Sequence, residues 1–201
     1  MILVVSATPQ ETAFLDGRKG IELLVTGVGP VEAAARVARA LAQHRYDLVV
    51  NAGIAGAYLP AAEIGEGVVV AEERIELDLE VGAPLALPAG IRVTDRAASD
   101  PSLVQRLVAQ GYRSVQGVTV TRVTATEATA ARLRVRGAQV ESMEGFAVLR
   151  SAEIAEVRAV EVRGISNYAG ERSRSRWDFA AGTQGLASIT NVLLAIEKVA
   201  S

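Results

Sequence analysis

The chain has 201 residues, half of them apolar and only 4% aromatic, and a net charge of −2. That length fits one domain, residues 1–201, with a core of Val, Ala, Leu and Ile, and the weakly acidic balance supplies no basic field for nucleic acid. The absence of cysteine and the single histidine, His44, argue against disulfides, thiolate or multi-histidine metal sites, a cysteine nucleophile and a Ser-His-Asp triad.

The start, MILVVSATPQE, is apolar for only a few residues and lacks a basic leader. No apolar run approaches the ~20 residues of a membrane span, so the expectation is a cytoplasmic protein with no membrane partner. Residues 2–6 predict a buried strand, and IELLVTG (21–27) a second. PVEAAARVARALAQH (30–44) has Pro in its first turn and apolar residues at helical spacing, which predicts a helix. YDLVVNAGIAG (46–56) predicts a strand entering a glycine turn, and EGVVVAEERI (66–75) another strand. Residues 76–98 show no period and read as a long excursion. DPSLVQRLVAQG (100–111) has a capping Asp, Pro at the first helical position and a closing Gly, a helix signature. A strand over 113–124, a helix over 125–137, a short strand over 138–142 and a helix over 143–156 follow. Residues 157–166 predict a strand opening into a polar turn at Ser166-Asn167, and 180–200 a final helix.

Strands apolar on both faces, alternating with helices, predict an α/β domain whose sheet is covered on both sides. Ligands gather at the C-terminal strand ends of such sheets, so polar residues there need a reason. Glu11 either opens a helix and complements its dipole or presents a carboxylate to a cleft. TGVGP (26–30) contains GxG, but Glu32 stands where the dinucleotide fingerprint requires glycine, so it reads as a tight turn into a helix. NAGIAG (51–56) is a close-packed turn or a place where a ligand nears the backbone. Glu144 is a surface carboxylate in a first helical turn or a site residue. Asn167 is a turn former or a pocket amide. Taken together, two carboxylates, a glycine-rich segment and an amide converge on one sheet edge without a cofactor motif. Paired carboxylates suit glycosidic bond cleavage.

The order of SATPQE (6–11), TGVGPVEAA (26–34), NAGIAG (51–56), GEGVVVAEE (65–73), VESMEGFAV (140–148) and VRGISN (162–167) resembles the nucleoside phosphorylase/nucleosidase family over nearly the whole chain. The resemblance implies a three-layer α/β/α fold with a central mixed, twisted sheet. It implies that Glu11 deprotonates an attacking water and that Arg163 helps to fix both. Glu144 would grip the ribose hydroxyls, with Met143 on the sugar face. Ala55 and Gly56 would lie along the purine, and Val123 and Thr124 would form another wall. Family members commonly form homodimers or larger homo-oligomers. The expected partner is a small-molecule nucleoside, with no cofactor and no metal.

Two positions depart from the adenine-specific nucleosidases of that family. Ile54 stands where they carry Ser, and Asn167 where they carry the Asp that protonates the leaving adenine. An amide cannot supply that proton. It can donate to a 6-oxo group and accept from the ring N–H of a departing base. A carboxylate there would set two acceptors face to face, a mismatch of about 1–3 kcal/mol. Asn167 therefore points to hydrolysis of a 6-oxopurine nucleoside with release of hypoxanthine. In GERSRSRWDF (170–179), Arg172, Arg174 and Arg176 either form a solvated basic loop or meet a substrate carboxylate. Trp177 either anchors the core or covers an aromatic ring. A phosphorylase would need basic side chains near the first and third strand ends. SATPQE and NAGIAG contain none, and Arg18 and Lys19 read as part of a hairpin. A non-catalytic nucleoside sensor is disfavoured by the presence of Glu11, Glu144 and Arg163 together.

Overall fold

The computed structural model describes residues 1–75, 88–171 and 176–199. The chain runs β1 (Ile2–Ser6), α1 (Pro9–Thr12), β2 (Ile21–Val25), α2 (Pro30–Gln43), β3 (Leu48–Ala57), β4 (Gly67–Ile75) and β5 (Arg96–Ala98). It continues through α3 (Pro101–Ala109), β6 (Arg113–Thr119), α4 (Glu127–Val135), β7 (Val140–Ser142), α5 (Gly145–Ile154), β8 (Ala159–Tyr168) and α6 (Phe179–Val199). Helix starts follow the local chemistry. Asp100 accepts from the Ser102 and Leu103 N–H groups at the head of α3, and Thr126 accepts from the Thr129 N–H at the head of α4.

Among the described residues, eight strands form one mixed sheet in the order β2-β1-β3-β7-β6-β4-β5, and β8 pairs with both β3 and β4. The β8 bridge closes β3, β7, β6, β4 and β8 into a ring. Ala55, Ala57, Val68, Val70, Val115, Val140 and Ile165 pack together as one cluster of it. Alternation along the strands feeds two further cores. Leu3, Val5 and Val49 pack with Val37 of α2 and with Val148 and Leu149 of α5, whereas Val4, Leu48 and Val50 pack with Leu103 of α3 and Leu186, Ile189 and Leu193 of α6. Helices thus cover both faces, as expected of an α/β/α arrangement.

The structure corrects several expectations. NAGIAG is not a turn: β3 runs through it to Ala57, paired with β8. Likewise β8 continues to Tyr168, so Ser166 and Asn167 lie inside a strand. Ile165 pairs with Ala55 and Asn167 with Gly56, leaving Ser166 as the extra residue of a bulge. Of the excursion over 76–98, residues 76–87 lie outside the described residues, and Arg96–Ala98 form an edge strand antiparallel to β4. β1 and β2 are parallel, so Arg18 and Lys19 belong to a crossover rather than a hairpin; Arg18 donates to Asn191 at 2.6 Å. The span 179–197 is long and apolar enough to cross a membrane by length and composition, contrary to the reading of the sequence. It is the helix whose Leu186, Ile189, Leu193 and Leu194 are buried against the sheet.

Candidate active site

A cavity of about 540 Å³ opens where β1, β3, β7 and β8 end. Thr8 precedes α1, and Pro9 starts it in the first helical position. This short helix carries Glu11 back toward its own beginning. Glu11 Oε2 accepts from the Thr8 N–H at 2.8 Å and the Thr8 hydroxyl at 2.9 Å, a capping-box arrangement, and Oε1 accepts from the Ile54 N–H at 3.0 Å. The carboxylate is almost wholly buried yet lines the cavity. It is therefore held in one orientation by three donors.

Arg163 approaches the same point from β8. A Cβ on Gly53 would stand 2.3 Å from Arg163 Nη1 and 2.9 Å from Glu11 Oε1, so the missing side chain is what lets the two groups meet over β3. Arg163 lies behind the cavity wall. Its Nε donates to Glu161 Oε1 at 2.7 Å and Nη1 to the Ile54 carbonyl at 3.3 Å; Nη2 is buried without an acceptor among the described residues. Burial works against the guanidinium charge, but the Glu161 and Glu144 carboxylates outweigh it and raise the pKa. Behind Glu161 stands Glu73. Oxygens of the two carboxyl groups lie within 2.7 Å of the place a Gly145 Cβ would occupy. Burial, then the charge of Glu161, pushes the Glu73 carboxyl well above the usual carboxylate range. Ser142 donates to Glu73 Oε1 at 3.1 Å, and Glu161 Oε2 is buried without a partner among the described residues.

Glu144 is the N-cap of α5 rather than a first-turn residue. Its Oε1 accepts from the Gly29 N–H at 2.8 Å, so the TGVGP turn, with Gly29 at φ 108°, serves the cavity as well as the start of α2. Burial raises the Glu144 pKa, opposed by the charge of Arg163 and by the Gly29 N–H. Met143, Ala55, Gly56, Val123 and Trp177 share its cavity. Trp177 is 42% exposed and stacks on Phe179 at 5.2 Å between ring centroids, which rules out the core-anchor reading.

Asn167 lines an adjoining space of about 300 Å³ that shares Val123, Met143 and Trp177 with the main cavity. Its Oδ1 accepts from the Ser166 hydroxyl at 2.9 Å, and its Nδ2 lies 3.1 Å from the Cβ position of Gly56. Thr124 lines the same space. The structure thus brings together Glu11, Glu144, Met143, Ala55, Gly56, Val123, Thr124, Asn167 and Trp177, with Arg163 one layer behind. Arg176 is exposed and off the cavity wall, and Arg172 and Arg174 lie outside the described residues. Sequence reasoning missed Glu73, Glu141 and Glu161. Glu161 had a signal: Val160-Glu161-Val162-Arg163 alternates apolar and charged residues, which places Glu161 and Arg163 on one strand face.

A family model described as the phosphorylase superfamily matches residues 7–196. The chain belongs to the phosphorylase superfamily. This superfamily member is 35% identical to a futalosine hydrolase of Thermus thermophilus, over 98% of the chain and 96% of the relative. It is 38% identical to a futalosine hydrolase of Streptomyces coelicolor, over 87% of the chain and 77% of the relative. Among solved structures, the Neisseria meningitidis 5′-methylthioadenosine/S-adenosylhomocysteine nucleosidase bound to methylthio-immucillin-A superposes with a TM-score of 0.77 at 21% identity, over 96% of this chain and 97% of that one. The S-adenosylhomocysteine nucleosidase of Streptococcus pyogenes with 5-methylthiotubericidin gives 0.79 at 20% identity, over 96% and 95%. These superpositions bear out the expected fold.

Proposed function

We propose that this chain hydrolyses the N-glycosidic bond of futalosine, releasing hypoxanthine, as a step of menaquinone biosynthesis. The observation that carries the reading is an amide, Asn167, beside a cavity whose wall holds the Glu11 and Glu144 carboxylates. The curated relatives named above support the same substrate. Glu11 takes the proton of a water as it attacks the anomeric carbon. Glu144 holds the ribose hydroxyls while positive charge develops on the sugar. The base leaves with the electron pair of the C–N bond and takes its proton from solvent water, while Asn167 donates to its 6-oxo group and accepts from the ring N–H so formed. Arg163 acts from behind the wall by fixing the Ile54 carbonyl, in the segment whose N–H holds Glu11. Futalosine carries an aromatic carboxylate arm at the 5′ position, and the stacked Trp177 and Phe179 offer it an apolar face.

The test is incubation with futalosine, inosine and methylthioadenosine, with and without phosphate. Free hypoxanthine is expected from futalosine without phosphate, and no adenine from methylthioadenosine. Phosphate-dependent release would make the chain a phosphorylase, although no Arg or Lys lines the main cavity among the described residues. Release of adenine alone would overturn the 6-oxopurine reading.

Asn167→Asp is expected to shift preference toward 6-aminopurine nucleosides. The ratio of kcat/KM for 6-oxo over 6-amino substrates should fall about tenfold to a hundredfold, because a carboxylate repels the 6-oxo oxygen and accepts from a 6-amino group. An unchanged ratio would remove Asn167 from base recognition.

A further inference from the structure

Glu141 is a buried carboxylate on the wall of the main cavity, on the short strand β7. It faces Gly56 across the β3–β7 ladder, while Asn167 faces the same glycine across the β3–β8 ladder. The Cβ that Gly56 lacks would stand 3.1 Å from Asn167 Nδ2 and 3.3 Å from Glu141 Cγ. Two polar side chains therefore overlie one backbone position, one offering an N–H donor and the other a carboxylate.

The acceptor capacity of that carboxylate is nearly used. Tyr58 and Thr124 donate their hydroxyls to Oε2, and the Thr124 N–H reaches Oε1 at 3.1 Å. A carboxylate oxygen has two lone pairs. Oε2 is filled and one position on Oε1 is open, on a residue that lines the cavity. Burial raises the Glu141 pKa, while the Thr124 and Tyr58 hydrogen bonds oppose the rise and favour the ionised form.

A 6-oxopurine presents an acceptor, the 6-oxo oxygen, beside a donor, the N1–H. The pair Asn167 Nδ2 and Glu141 Oε1 has the complementary order of donor and acceptor. A 6-aminopurine reverses both positions and meets a mismatch at each. We propose that Glu141 reads the N1–H of the base while Asn167 reads its 6-oxo group, so that specificity rests on two residues flanking Gly56. This deepens the function proposed above and rests on its 6-oxopurine reading.

The test is calorimetric binding of hypoxanthine, 1-methylhypoxanthine and adenine to the full chain and to Glu141→Ala. In that variant the Tyr58 and Thr124 hydroxyls, 3.0 Å apart, can bond to each other. The expected result is that hypoxanthine binds the unaltered protein at least about tenfold tighter than 1-methylhypoxanthine, and that Glu141→Ala closes this gap to within about threefold. A carboxylate that only braced Thr124 would weaken both bases alike, so a gap that persists in Glu141→Ala, or is absent from the unaltered protein, overturns the role of Glu141 and leaves the 6-oxopurine reading standing. Adenine binding tighter than hypoxanthine to the unaltered protein would overturn that reading and this inference with it. Should Glu141→Ala fail to fold, Glu141→Gln replaces it. Its neutral oxygen is a weaker acceptor, so the gap should narrow severalfold, and an unchanged gap overturns the proposal.

Discussion

Glu11→Gln is expected to lower kcat by about 10²–10⁴-fold while substrate binding stays measurable. The substitution keeps the size of the side chain and removes only its capacity to take a proton. Glu11 already receives three hydrogen bonds, from the Thr8 N–H, the Thr8 hydroxyl and the Ile54 N–H. The amide can retain the Ile54 bond through its oxygen, and the Thr8 hydroxyl can turn to accept. The Thr8 N–H then loses its acceptor, which costs about 1–3 kcal/mol locally. A thermal melt separates that cost from lost chemistry. Single-turnover rates with futalosine and the Kd of hypoxanthine divide the effect between kcat and binding. Turnover at the unaltered rate would dismiss Glu11 as the base.

Gly53→Ala should be nearly as damaging although it adds one methyl group. The new carbon would lie 2.3 Å from Arg163 Nη1 and 2.9 Å from Glu11 Oε1. Arg163 has little room to yield, because Glu161 holds its Nε at 2.7 Å and both residues are buried. Either the guanidinium or β3 must shift, and overpacking of this kind costs about 1–3 kcal/mol. A displacement near 1 Å at a catalytic group costs on the order of 10² in rate. The expected result is a kcat lowered by at least about a hundredfold together with a lower Tm. A variant with unchanged kcat and Tm would show that β3 accommodates the methyl group and that the close approach over Gly53 is dispensable.

Much of the site was legible because its polar residues interrupt apolar strands. Glu11, Glu144 and Asn167 stand out against apolar neighbours, and the structure gathers them at one sheet edge. The strand through NAGIAG was not legible. Glycines signal turns when only local conformation is considered, and here Gly53 and Gly56 sit in β3 because Arg163, Glu11, Glu141 and Asn167 crowd over it from distant segments. The same reason hid the continuation of β8. Ser166-Asn167 has the composition of a turn, and only pairing with β3 keeps it extended. Ring closure by β8 is a pairing of distant strands that no local period encodes. Glu141 went unremarked because a three-residue strand is too short to show alternation.

The row Glu73, Glu161 and Arg163 carries a consequence for when electrostatic work is done. Two acidic groups and a guanidinium are withdrawn from water as the sheet closes, before any nucleoside arrives. Their desolvation is charged to folding, and apolar residues of similar volume would often fit such an interior at no loss of stability. What the chain gains is a field already in place at the cavity floor, so that little reorganisation is left for the moment the glycosidic bond breaks. The protein trades part of its resistance to unfolding for readiness.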